Sequence, residues 1–275
     1  MEATLQFEVA LSAESLNRWK IGRDGGIAAP PLPTERVPLS YLVFLRAQPI
    51  LGVNFHDLLG RDPDRGLYGG VTYRELAPLG LGQTLQASSA VQGRKVVQTQ
   101  RGELTITTFV TQYACNGTAH ASESVRMIDT PPANNDAQSE ASSSGGLPAA
   151  VREPIHPLLC RIAPITHRQV AWLTVETGDI NALHLDAPYA AQRGFPDVVV
   201  PATLITALIE RELESALGRH PVELDVRYSA PSFPRDAFDL YATVTGDTLL
   251  FQALVGTSLR AEGKARLCPG PDMRP

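Results

Sequence analysis

The chain has 275 residues, of which 43% are apolar and 19% charged, with a formal net charge of −5. That length suits two domains of ordinary size, and the apolar fraction is that of a globular chain with a core. An acidic balance without a basic stripe argues against nucleic acid as a partner, and no apolar run approaches the length of a membrane span.

The first residues, Met1 to Glu8, are acidic and lack the apolar segment of a secretory signal. Cys115, Cys160 and Cys268 are odd in number and far apart. This predicts reduced thiols in a cytoplasm, and neither a disulfide framework nor a metal cluster. Asn116-Gly117-Thr118 spells a glycosylation acceptor but reads more simply as a hairpin turn.

In chain order, Ser12 is the expected N-cap of a short helix to Lys20, broken by the run Gly22 to Gly26. Ala28 to Pro38 is too rich in proline for a regular element. Leu39 to Gln48 reads as a buried helix, with a strand as the alternative because short apolar runs are ambiguous. Asp62 to Gly70 reads as a turn-rich connector. Strands are expected at Val71–Leu76, Thr84–Gln92, Lys95–Arg101, Glu103–Cys115 and Ala119–Ile128, with turns at Gly93-Arg94, Gly102 and Asn116-Gly117. Thr130 to Ala150 has almost nothing to bury and reads as a linker. It divides the chain into an N-terminal unit, 1–129, a linker, 130–150, and a C-terminal unit, 151–275.

The second unit opens with a strand at Leu158–Ile165 and a helix capped by Thr166 and running through Val175. Asp186 reads as the N-cap of a short helix ending at Gly194, with Pro188 in its first turn. A longer helix reaches Leu217, with Pro201 in its first turn and Gly218 just beyond its end. Strands follow at Leu224–Ala230, Ala237–Thr245, Thr248–Leu254 and Ser258–Leu267, with a turn at Gly246-Asp247. The pattern alone gives an α+β class. The two units share their order of elements, and Pro78 to Thr84 looks like the counterpart of Pro231 to Ala237.

Between the predicted helices lies Thr177-Gly178-Asp179-Ile180-Asn181-Ala182-Leu183-His184, expected to be an irregular loop. It places a carboxylate, an amide and an imidazole within six residues. Imidazole titrates near neutrality and suits proton transfer; a nearby carboxylate can orient it or hold a water. The plainer reading is an Asx-turn with a surface histidine. The remaining histidines, His56, His120, His156, His167 and His220, show no metal-ligand spacing. His167 reads as an exposed helix residue, Asp197 as a turn, Arg193 as a solvated helix end, and Trp19 and Trp172 as packing residues. Gly80-Leu81-Gly82 leads into a strand and is no phosphate loop.

Thr177, Gly178, Asp179, Asn181, Leu183, His184 and Ala190 together resemble the active-site pattern of the MaoC-like (R)-specific enoyl-thioester hydratases and 3-hydroxyacyl-thioester dehydratases. Ala182 stands where proline is usual. The resemblance implies an α+β double hotdog, with two central helices each wrapped by a curved antiparallel sheet and catalytic residues only in the C-terminal half. It implies hydration of a 2-enoyl thioester, or the reverse dehydration, with Asp179 and His184 acting on one water. Asn181 would position the water or tie the loop, and the N–H of Ala202 would polarise the thioester oxygen. The expected partner is an acyl-CoA or acyl-carrier-protein substrate, whose CoA or phosphopantetheine belongs to the substrate. No metal or redox cofactor is expected, and a homodimer is compatible with this reading. Pro201-Ala202 stand where the family usually has His-Gly: proline cannot donate, and alanine has fewer backbone options than glycine. That departure motivates an alternative, a non-catalytic hotdog subunit that binds acyl thioesters; a hotdog thioesterase is another.

Overall fold

The computed structural model describes residues 4–26, 36–47, 66–99, 102–129, 151–179 and 181–270. The first half contributes β1 (Thr4–Ala10), α1 (Ala13–Asp24), a 3-10 turn (Leu39–Tyr41) running into α2 (Leu42–Ala47), β2 (Gly66–Glu75), β3 (Thr84–Thr99), β4 (Gly102–Cys115) and β5 (Thr118–Asp129). The second contributes β6 (Leu158–Ile162), α3 (His167–Thr177), α4 (Ala182–Leu185), α5 (Ala187–Gln192), α6 (Ala202–Leu217), β7 (Pro221–Tyr228), β8 (Phe238–Thr245), β9 (Thr248–Val255) and β10 (Ser258–Leu267). The predicted linker and His56 lie outside the described residues.

All of these strands join one antiparallel sheet in the order β1-β3-β4-β5-β2-β7-β10-β9-β8-β6. Its right-hand half, read from its outer edge inward, repeats the order of the left, so the halves are related by a two-fold between β2 and β7. That axis passes between Thr72 and Asp225, which face each other in register. The Thr72 hydroxyl donates to the Asp225 carboxylate at 2.8 Å. The turns that the sequence pairs also match in detail. Leu11 N–H donates to Gln83 O and Gly82 N–H to Leu11 O; likewise Ile165 N–H donates to Asp236 O and Arg235 N–H to Ile165 O. Gly82 and Arg235 hold the same positive φ, +87° and +75°.

Alternation builds the buried face of the sheet. Along β5, Ala121, Glu123, Val125 and Met127 point inward. The helix α6 is buried continuously from Thr203 to Glu210, lies against β6 and β7, and meets the 3-10 turn of the other half. Three caps expected from sequence form: Ser12 accepts from Ser15 N–H, Thr166 forms a capping box with Gln169, and Gly218 closes α6 at φ +62°.

Several expectations are corrected. Gly22 does not break α1, which runs to Asp24 and ends at Gly25, φ +78°. A Cβ on Gly22 would stand 2.4 Å from Trp172 Cδ1, so this glycine permits close approach of α1 and α3. Gly93-Arg94 is not a hairpin. β3 continues through it because β4 pairs along its whole length, and the glycine marks a register shift between Val91 and Gly93. Gly66 to Gly70 belongs to β2 and not to a connector. The three cysteines are unpaired, and burial pushes the Cys160 thiol up to about 11.

The halves are tied by a buried carboxylate. Glu210 of α6 is 1% exposed. It accepts Leu39 N–H at 2.7 Å, Ser40 N–H at 2.8 Å, and the Ser40 hydroxyl. An unsatisfied buried donor costs about 1–3 kcal/mol. Glu210→Ala leaves two such N–H groups and should lower stability by about 2 kcal/mol or more, while Glu210→Gln, which retains one acceptor oxygen, should lose less. Denaturant midpoints at unchanged slope measure the difference.

Candidate active site

The site begins where α3 ends. Gly178, at φ +64°, closes the helix, and Asp179 N–H bonds back to Thr174 O at 3.0 Å. This fixes the direction in which Asp179 leaves the helix. Asn181 then caps α4: its Oδ1 accepts Leu183 N–H at 2.9 Å. His184 therefore sits on a single helical turn, not on the irregular loop expected from sequence. Asp186 caps α5 by accepting Tyr189 N–H at 3.0 Å, as its position predicts.

The chain entering α6 clamps this turn. Val199 N–H donates to Leu183 O at 2.8 Å, and His184 Nδ1 lies 2.6 Å from Val199 O. A carbonyl oxygen only accepts, so Nδ1 carries a proton, and in the neutral form of the ring Nε2 presents its lone pair. Nε2 stands 3.5 Å from Asp179 Oδ2. The imidazole is largely buried, and the carboxylate is more open. That separation is too long for a good direct hydrogen bond. Two acceptors facing each other across it leave room for a shared donor.

Asp179 and His184 are thus brought together. Asn181 Oδ1 is occupied by the cap, which favours loop-tying over water positioning, the two roles open to it from sequence. Ala202 opens α6, where its N–H has no intrahelical partner and faces the positive end of the helix dipole. It lies three residues beyond the carbonyl that holds His184. Pro201 is the N-cap of α6, one position before the helix.

Other groups fall elsewhere. His167 is exposed but pairs with Asp197, Nε2 to Oδ2 3.0 Å. Burial would raise the Asp197 carboxyl, but the Val198 N–H and His167 outweigh it and hold the group low. Arg193 packs over Tyr189 and donates to its hydroxyl at 2.9 Å. A cavity of about 580 Å³ lies where the halves meet, lined by Arg36, Glu75, Gly80 and His220, where Arg36 bonds Glu75 and Pro221 O. Among the described residues no cluster of three or more His, Cys, Asp or Glu could hold a metal, and no helix is long and apolar enough to cross a membrane. The sequence reading missed the Val199 carbonyl, which has no side-chain signature, and Glu210, whose charge amid apolar neighbours was the available signal.

Residues 156–264 match the family model of the MaoC like domain. The matched segment is similar to a MaoC-like dehydratase domain. Solved structures agree over nearly the whole chain. A MaoC-like dehydratase from Phytophthora capsici is 18% identical with a TM-score of 0.72, covering 99% of this chain and 97% of its own. HtdX from Mycobacterium tuberculosis is 15% identical with a TM-score of 0.69, covering 96% and 98%. A second Mycobacterium tuberculosis protein, described as having a double hotdog fold, is 12% identical with a TM-score of 0.57, covering 97% and 96%. At such identities the likeness concerns the fold: an α+β double hotdog whose second half contains the segment matched by the family model. Comparison with curated protein sequences gives no match.

If the Asn181 cap holds the turn that carries His184, Asn181→Ala should cost about 1 kcal/mol locally. Amide exchange at Leu183 and His184 should then speed up about fivefold, while Asn181→Asp stays near wild type.

Proposed function

We propose that this protein adds water to a 2-enoyl thioester, or removes it from a 3-hydroxyacyl thioester, with Asp179 and His184 acting on one water. The observation that carries the reading is the orientation of His184. With Nδ1 committed to Val199 O, Nε2 lies 3.5 Å from Asp179 Oδ2, and a water beside the pair, at hydrogen-bond distance from each, would be shared by both. In hydration the water oxygen bonds to C3 of the enoyl group. The C2=C3 electrons move toward the thioester carbonyl, and negative charge develops on its oxygen. The Asp179–His184 pair takes the proton lost by the water, and a proton is delivered to C2 as the carbonyl reforms. The net result is addition of H and OH, and dehydration is the reverse.

The Ala202 N–H, at the positive end of α6, would stabilise the developing oxyanion. The substrate is an acyl-CoA or acyl-carrier-protein thioester. The chemistry needs neither electron transfer nor a Lewis acid, so the reading calls for no redox cofactor and no metal. Pro201 and Ala202 favour a second reading, a hotdog that binds acyl thioesters without turning them over. The same experiment separates the two.

Wild-type protein should deplete the enoyl absorbance of at least one of a panel of trans-2-enoyl-CoA thioesters, short, long and branched. Asp179→Asn and His184→Ala should each lower kcat by roughly 10²–10⁴-fold. Binding of the panel without turnover by folded wild-type protein would favour the second reading, and activity surviving both substitutions would place the chemistry elsewhere.

A further inference from the structure

The two halves start their central helices with related sequences, Val37-Pro38-Leu39-Ser40 and Val200-Pro201-Ala202-Thr203. Both prolines act as N-caps in an extended conformation, Pro38 at φ −61°, ψ 147° and Pro201 at φ −55°, ψ 129°, and neither cap uses a side chain. Both pairs enter the helix that precedes the seam strand of their half, β2 or β7. The two starts are therefore internal copies.

One copy holds an anion. Leu39 N–H and Ser40 N–H each donate to a different oxygen of the Glu210 carboxylate, and the Ser40 hydroxyl adds a third bond. Glu210 comes from α6, eight positions after Ala202. The residue eight positions after Leu39 is Ala47, which has no carboxylate to offer in return. One helix start is thus filled by a side chain of the chain itself, and among the described residues no carboxylate bonds the other.

The open copy lies beside the Asp179–His184 pair, because His184 bonds to Val199 O, two residues before the Pro201 cap. Thr203 takes the place of Ser40. Its side chain is nearly buried, at 8% exposed, and its hydroxyl forms no hydrogen bond among the described residues.

We propose that the Thr203 hydroxyl is a third donor to the thioester oxygen, beside the N–H groups of Ala202 and Thr203. The hydroxyl keeps its proton and acts on the charge that develops as C2=C3 is attacked. This inference rests on the hydro-lyase reading above. Loss of one oxyanion donor lowers kcat by about 10²–10³-fold. Thr203→Val, close in shape but without a donor, should show a fall of that order with KM within about threefold. Thr203→Ser should retain wild-type kcat within about threefold, and thermal melts should confirm that both variants fold. A Thr203→Val kcat within threefold of wild type overturns the proposal, as does an equal loss in Thr203→Ser.

Should wild type turn over no enoyl thioester, the hydro-lyase reading fails by itself, and calorimetry with butyryl-CoA then tests the contact. A Kd weakened about tenfold in Thr203→Val but not in Thr203→Ser supports the donor, and equal Kd values overturn it. The template is tested separately in Glu210→Ala: acetate, but not an equal concentration of chloride, should raise its denaturation midpoint. A response to neither or to both would remove the internal analogy and overturn the proposal with it.

Discussion

The pairing of β2 with β7 is the constraint on which the rest depends. It joins two five-stranded halves into one sheet, from Gly70 opposite Arg227 to Arg74 opposite Glu223. Val71, Tyr73, Leu224 and Val226 alternate into the core along this seam, all fully buried. A slip of one residue would turn each of them outward, so burial locks the register. Arg126 reinforces the seam by donating to Asp225 and to Val226 O. Gly70 leaves room for that side chain, since a Cβ there would stand 2.4 Å from its guanidinium. With the seam fixed, α6 meets the 3-10 turn of the other half, and Glu210 reaches donors 170 and 171 positions upstream.

The halves share a topology but not a chemistry, and the difference lies in one connection. From Asp24 at the end of α1 to the cap Pro38 is 14 positions (38 − 24); from Thr177 at the end of α3 to Pro201 is 24 (201 − 177). The ten additional positions accommodate α4 and α5, the turns that carry and support Asp179 and His184. The shorter connection carries no Asp-x-Asn-x-x-His pattern, and Glu210 holds the helix start it leads to. One half is organised around a helix start filled by a carboxylate, the other around the Asp179–His184 pair.

What the sequence disclosed was mostly local. Caps at Ser12, Thr166 and Asp186, the glycine stop at Gly218, and the Asn116-Gly117 turn are set by nearby backbone chemistry, and each is where its residue type requires. Gly22 and Gly93 were misread because their roles depend on distant partners: the Trp172 indole against one and the continuous β4 strand against the other. The pattern from Thr177 to Ala190 brought Asp179 and His184 into view, yet the tautomer of His184 depends on a backbone carbonyl 15 residues away, which no side-chain pattern encodes. Glu210 was visible as the first of three acids in α6, directly after its apolar run, but its meaning needed the other half of the molecule.

The replacement of His-Gly by Pro201-Ala202 takes on a different weight in this light. A proline at the cap removes an N–H that lies before the helix, and it fixes φ near the value the cap adopts, −55°. In the internal copy the cap is also proline, and the carboxylate is held by the two residues after it. A proline cap is thus compatible with an anion hole built on the next two N–H groups. Alanine at the first of these positions keeps its N–H, as Leu39 does in the copy, with no need for the freedom of glycine. The departure therefore removes neither of the backbone donors that the copy uses, and a hydroxyl follows in both sequences, at Ser40 and at Thr203. Pro201-Ala202 thus keeps the backbone donors that the proposed oxyanion site would use, which weakens the motive for the non-catalytic reading.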